Sequence, residues 1–505
     1  MVRRHVRRAA ILVLGLVVAT TACSSGDDDA ADRSASDEPA AEVPGADVAR
    51  PTVTGPVEGG TQDGPWGAMS GEVADRHGYV EEEYFVEGEA TSYRPEGELG
   101  EDGRWAVGPA DTARYRTRIL VRRPEDPDDF DGTVFLEWLN VTGGVDADPD
   151  FGLMHDEVLS YGSAYVAVSA QKVGVEGGGG ALAIPGMPEV QALKQWDPER
   201  YGDLRHPGDP YSYDIYSQAA QAVRRPGDVD VLDGLDPEHV IAVGESQSAA
   251  RMVTYADAIQ PVAQIFDGFL IHSRGGSGAP LDESSNVLGE GTAHIRDDVG
   301  VPVMQYITET DLFGPLGFHR AEQDDTDMLR TWEVAGTAHA DRGLLSYSGD
   351  MAADVEGGAG FDIAGQCGSI NEGNQGLVLH AAVRALRAWV ADGEAPPEAP
   401  RFEVSGDAIA RDERGIAVGG IRTPAVDAPV SVLTGEAPAG RSVLCSLFGD
   451  TRPFDAATLR ELYPTHDDYV DAVTESADAA VSDGFLLQDD ADQIVADAED
   501  ADVPG

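Results

Sequence analysis

Seven short apolar runs limit what this chain can fold into. They are YRTRILVRR (115–123), GTVFLEWLN (132–140), SAYVAVSAQ (163–171), HVIAVG (239–244), IFDGFLIHS (265–273), VPVMQYITE (301–309) and TWEVAGTA (331–338). Several are unbroken and rich in Val and Ile, which suits strands covered on both faces. Helical patterns fall between them. Residues 212–225 stop at Pro226 and residues 248–259 stop before Pro261. Residues 377–390 repeat apolar side chains at Leu379, Val383, Leu386 and Val390, then end at ADGEAPP. Strands alternating with helices predict an α/β architecture: a mostly parallel central sheet, right-handed crossovers and helices on both faces, with additional N- and C-terminal segments.

The two ends read differently. MVRRHVRR is basic, AAILVLGLVVATTA is an apolar run of 14 residues, and Cys23 follows Ala22. That order predicts a signal peptide over 1–22, and the small residue before a cysteine predicts lipidation of Cys23 at a membrane surface. Plain secretion with cleavage nearby is the alternative. Residues 23–50 are acidic, rich in Ala, Ser and Pro, and read as a disordered tether. The domain proper is assigned to 51–475, and 476–505 to an acidic tail that forms a peripheral helix or frays. If Cys23 carries lipid, Cys367 and Cys445 remain as an even pair that an oxidising exterior would join. Two free thiols are the alternative. The formal net charge of −56, from 91 acidic against 35 basic residues, repels phosphate backbones and argues against a nucleic-acid partner. The membrane is expected to be touched only through the lipid anchor, and the sequence does not fix an oligomeric state.

One run ends in a motif with chemistry. In HVIAVGESQSAAR an apolar strand reaches Gly244, then Ser246, then the small residues Ser248, Ala249 and Ala250. A serine lifted above a strand on a sharp turn needs small residues two before and two after it, because the following helix must pass close. The spacing predicts such a nucleophile elbow, with Ser248 where glycine is usual. A serine hydroxyl needs a base, and the base needs an orienting carboxylate. Asp311 lies just past the end of the run at 301–309 and is the first candidate acid, with Glu309 as the alternative. His339, in WEVAGTAHAD, follows the acid and ends a strand; His272 also ends a strand but precedes the acid. An oxyanion hole requires backbone N–H groups, expected from Gln247 and from Val141 or Asn140 in the loop NVTGG. Segment 172–211 is long for a strand-to-helix connection and is expected to cover the site, with Trp196, Tyr201 and Tyr211 as wall candidates.

The chain resembles the α/β-hydrolase superfamily and, within it, exported bacterial α/β-hydrolase domain proteins. The residues that carry the likeness are LEWLNVTGG, YDIYSQAAQAVR, GESQSAARMVTYADAI, FDGFLIHSRGG, AGTAHAD and LFGDTRPFDAATLRELYPTHDDYV, together spanning about 70–475. The resemblance implies a Ser246–Asp311–His339 triad and hydrolysis of carboxylic esters, small or polymeric, without a cofactor. Lactone or amide hydrolysis, acyl transfer to an alcohol, or a non-catalytic surface binding lipoprotein are the alternatives. Asp146, Asp148, Asp150 and Glu157 are spaced like a calcium loop, but Phe151 stands where the loop needs glycine, so no metal is assigned.

Overall fold

The computed structural model describes residues 44–62, 64–180, 191–283, 291–347 and 363–504. The signal segment, Cys23 and most of the tether lie outside the described residues.

A nine-stranded sheet organises the body. Its strands are β1 (Thr52–Thr54), β2 (Tyr79–Pro95), β3 (Val107–Pro124), β4 (Thr133–Trp138), β5 (Ala164–Val168), β6 (His239–Glu245), β7 (Gly268–His272), β8 (Val303–Thr308) and β9 (Leu329–Val334). They lie in the order β1-β2-β3-β5-β4-β6-β7-β8-β9. From β5 to β9 every neighbouring pair is parallel, and β1, β2 and β3 form an antiparallel edge. All six residues of β4 are buried. Alternate side chains point to opposite faces of a strand, so the runs feed two cores. Val134, Leu136, Val240 and Ala242 enter one, and Phe135, Ile241 and Val243 the other.

Of the antiparallel edge, the run 115–123 within β3 was legible, but β2 hid from hydrophobic patterning because the face it shares with β3 is ionic. Glu81 lies opposite Arg122 in the β2–β3 ladder. Arg122 pairs with Glu81 and Asp148, and Arg118 with Glu83 and Asp146, all largely or wholly buried. The suspected calcium loop is thereby dispersed. Asp146 and Asp148 serve these arginines, Asp150 contacts His272, and Glu157 pairs with Arg384.

Two sequence expectations need correction. The tether is not free up to residue 50: Gly45 donates its N–H to the Gln264 carbonyl at 2.8 Å, Val48 is buried, and Gln221 Nε2 donates to the carbonyls of both. The helix expected to stop before Pro261 continues to Ala263. It runs from Gln247 to Thr254, widens to a π-helical turn over Tyr255–Ile259, and resumes over Gln260–Ala263. The widened turn accommodates a residue that has no N–H to donate. Of the two readings of 476–505, peripheral helix or frayed tail, the helical one is what forms. His466–Ser482 and Gln488–Asp500 are helices that bury Ala477, Ala480, Leu486 and Ala491 together, and the Phe485 ring packs edge-on against Trp332 of β9 at 5.0 Å. Alanines on the inner faces let the helices approach closely while the acids stay outside. Cys367 and Cys445 form a disulfide, Cα to Cα 5.3 Å.

Candidate active site

The site sits at the carboxyl ends of the parallel strands. β6 ends at Glu245, and Ser246 follows at φ 59°, ψ −114°, a left-handed conformation that L-residues with a Cβ rarely adopt. Its N–H donates to the carbonyl of His272 at 2.9 Å, which fixes the turn to the end of β7. The following helix begins at once with Gln247. A Cβ on Gly244 would come within 2.9 Å of Met252 and of the Ser248 backbone, so the turn closes only on glycine.

Two loops bring the partners. After β9 the chain turns through Gly336 and Thr337 to His339, whose Nε2 lies 2.7 Å from Ser246 Oγ. After β8 a single helical turn, Glu309–Leu312, presents Asp311, whose Oδ1 lies 2.7 Å from His339 Nδ1. The other oxygen of Asp311 accepts from the N–H and the hydroxyl of Thr308 at 2.7 and 2.8 Å. That pair of bonds locks the carboxylate in place. Glu309 is turned elsewhere: it accepts from the N–H groups of Gly336 and Gly435 and from Arg411 Nη2 at 2.7, 3.0 and 2.9 Å. His272, the rival base, holds Asp150 Oδ1 at 2.8 Å and Gln375 Oε1 at 3.3 Å.

A family model described as alpha/beta hydrolase domain matches residues 53–496. The chain belongs to that family. No curated protein matches it. Among solved structures it is similar to esterase Est22, with 16% identity over 56% of this chain and 80% of that one at a TM-score of 0.29. A glucuronoyl esterase from Solibacter usitatus gives 10% identity, the same two coverages and a TM-score of 0.28. A putative dienelactone hydrolase from Klebsiella pneumoniae gives 12%, 49% and 85%, and 0.26. Likenesses this distant carry no argument about chemistry.

In this hydrolase the expected oxyanion donors divide. The N–H of Asn140 is committed to the carbonyl of Ala147 at 2.9 Å, so Asn140 is corrected as a backbone donor. Its short bridge to Ala147 ties off the loop that the ionic edge holds through Asp146. The N–H groups of Val141 and Gln247 are engaged by no group among the described residues. Asn140 acts through its side chain: Nδ2 donates to both the carbonyl and Oε2 of Glu245 at 3.1 Å, and Oδ1 accepts from Thr142 N–H at 2.8 Å.

Residues 181–190 of segment 172–211 lie outside the described residues; before them, Gly180 reaches the loop 140–144, since a Cβ on it would lie 2.4 Å from the carbonyl of Thr142. Its aromatic residues serve packing. Tyr201 is buried with Phe85, Val175 and Leu193, Trp196 packs on Trp66 and Tyr201, and Tyr211 packs against the main core.

Sequence reasoning missed Glu245. It is buried, and its Oε1 lies 3.3 Å from His339 Nε2. Burial raises its carboxyl, His339 and His272 pull it back, and the balance pushes it up to about 7. For His339, burial opposes the charged ring, but Glu245 and then Asp311 outweigh it and push the imidazole up to about 9. The signal was present as the middle letter of Gly-Glu-Ser; nothing in the pattern said which way the side chain turns.

Proposed function

We propose that this hydrolase cleaves carboxylic esters by acyl transfer through Ser246, with His339 as base and Asp311 as its orienting acid. The observation that carries the reading is the continuous line Ser246 Oγ, His339 Nε2, His339 Nδ1, Asp311 Oδ1, with 2.7 Å at each hydrogen bond. In the reaction, His339 Nε2 takes the Ser246 proton as Oγ bonds to the ester carbonyl carbon. The resulting oxyanion lies against the N–H groups of Gln247 and Val141. As the tetrahedral species collapses, the C–O bond to the alcohol breaks and Nε2 returns the proton to the departing oxygen. Water, deprotonated by His339, then attacks the acyl-enzyme; a carboxylic acid leaves and Ser246 recovers its proton.

Asp311 contributes by fixing the ring tautomer and by favouring its charged form. Ser246→Ala in folded protein should lower turnover of a chromogenic short-chain ester by roughly 10⁴-fold or more. Unchanged turnover would refute the nucleophile. A surface binding protein without turnover would neither hydrolyse such esters nor react with a fluorophosphonate at Ser246. A panel of aliphatic, aromatic, lactone and amide substrates assigns the acyl and leaving groups. We further propose that the chain is exported and anchored by lipid at Cys23; the Cys367–Cys445 bond supports an oxidising destination. Cys23→Ser should abolish incorporation of labelled fatty acid.

A further inference from the structure

The carboxylate of Glu245 is placed oddly for a group with only a packing role. It is buried at the end of a central strand, and among the described residues no Lys or Arg pairs with it. Burying an unpaired carboxylate is costly, and an apolar side chain of similar size would avoid that cost. One oxygen is held by Asn140 Nδ2. The other faces the ring nitrogen that must receive the proton of Ser246. Nε2 therefore has two oxygen neighbours, Ser246 Oγ at 2.7 Å and Glu245 Oε1 at 3.3 Å, while Nδ1 faces Asp311.

We propose that Glu245 is a second carboxylate partner of His339: it stabilises the doubly protonated ring from the Nε2 side and shifts the working range of the Ser246–His339 pair toward alkaline pH. The inference rests on the proposed nucleophile and base. It follows from counting protons. With Asp311 and Glu245 both ionised, the ring between them holds a proton on each nitrogen. One of these must leave before Nε2 can accept from Ser246. If the proton moves instead to Glu245, the new carboxyl group competes with Ser246 for the Nε2 lone pair. The base is free only when the Glu245–His339 pair has lost that shared proton, which is the alkaline condition. Once Ser246 attacks, the same carboxylate favours the imidazolium that forms.

The groups around this pair come from every neighbouring element. Asp311 from the turn after β8 favours the imidazolium. Thr310 Oγ1 accepts the His339 N–H at 3.2 Å, and Gln375 Nε2 reaches the His339 carbonyl at 3.5 Å. On Glu245, His339 and His272 favour the carboxylate, and Asp150 and Asp311 oppose it. Asn140 is neutral at any working pH and joins Glu245 to the loop that carries Val141.

The test is the pH dependence of Ser246 labelling by a fluorophosphonate, which needs the nucleophile and base but no particular substrate. Wild-type labelling should rise to a plateau with a midpoint near the value of about 9 set by the flanking carboxylates. Glu245→Gln should lower that midpoint by more than one pH unit. At pH 6 it should then label at a fraction of its own plateau at least ten times that of the wild type. Glu245→Asp keeps a charge on a shorter arm and should give an intermediate midpoint; it serves alone if the glutamine variant fails to fold. Unmoved midpoints in the folded variants, with only the plateau lowered, would reduce Glu245 to a packing role and overturn the inference. A wild-type chain that never labels at Ser246 would remove the nucleophile assignment and this inference with it.

Discussion

Two acids two residues apart have divided their work, and the division can be measured. Asp311 meets the imidazole, whereas Glu309 anchors Arg411 and two backbone N–H groups. Asp311→Asn should cut turnover by about 10⁴-fold, because the amide cannot hold the ring in the right tautomer. Glu309→Gln should leave turnover of folded protein within about tenfold while costing roughly 3 kcal/mol of stability, since it breaks a buried ion pair. The opposite outcome would exchange their roles. Stability against pH carries a second signature. His339 is raised from 6.5 to about 9, so the native state holds a proton that the unfolded chain loses between those values. That contribution is complete below pH 6.5 and gone above about 9. Melting temperature should therefore fall over this interval more in the wild type than in Glu245→Gln. At this scale the convergence of Ser246, His339 and Asp311 was legible, because chain order and strand ends constrain where the three side chains meet. Glu245 and the side-chain role of Asn140 were not, because both depend on how a turn aims its side chains.

The elements divide by how much apolar surface they show. The parallel strands were readable because both their faces are covered by side chains that must be apolar. β2 was not: along Val80–Glu83 it carries three glutamates, and their partners Arg118, Arg122 and Arg123 sit on β3, so the pairing appears only once the hairpin is formed. The C-terminal helices stayed ambiguous in the sequence, readable as a peripheral helix or a frayed tail, for a similar reason, since alanines between acids look like a solvated tail until two such faces meet. Their docking makes a definite demand on Phe485. Phe485→Ala should destabilise the whole molecule by roughly 3 kcal/mol, read as a lowered denaturant midpoint with an unchanged slope. Loss of the helical signal alone, with the body melting as before, would mean that the hairpin is an independent appendage. The disulfide closes 78 residues between the approach to helix Gln375–Asp392 and the segment before the strand Asp450–Pro453. In the chain-entropy model that closure is worth roughly 4 kcal/mol. Dithiothreitol should lower the melting temperature of the wild type and not that of a Cys367→Ser/Cys445→Ser variant.

For the molecule as a whole, charge is the dominant tension. A net −56 with most carboxylates outside pushes the compact state apart, while the buried Arg118 and Arg122 on β3 are already ion-paired. Raising sodium chloride from about 10 mM to 1 M shortens the screening length from about 30 to 3 Å and should raise the melting temperature; a flat response would mean that surface repulsion is not limiting. A more local tension sits at residue 246. Its backbone is held where a side chain costs on the order of 1–3 kcal/mol, and glycine alone would rest there without penalty. Ser246→Gly should then outlast Ser246→Ala on heating, although neither should turn over an ester. On the proposed mechanism, reactivity is thus drawn from durability: the inert variant is the sturdier one, and a screen for heat resistance alone would select against the proposed nucleophile.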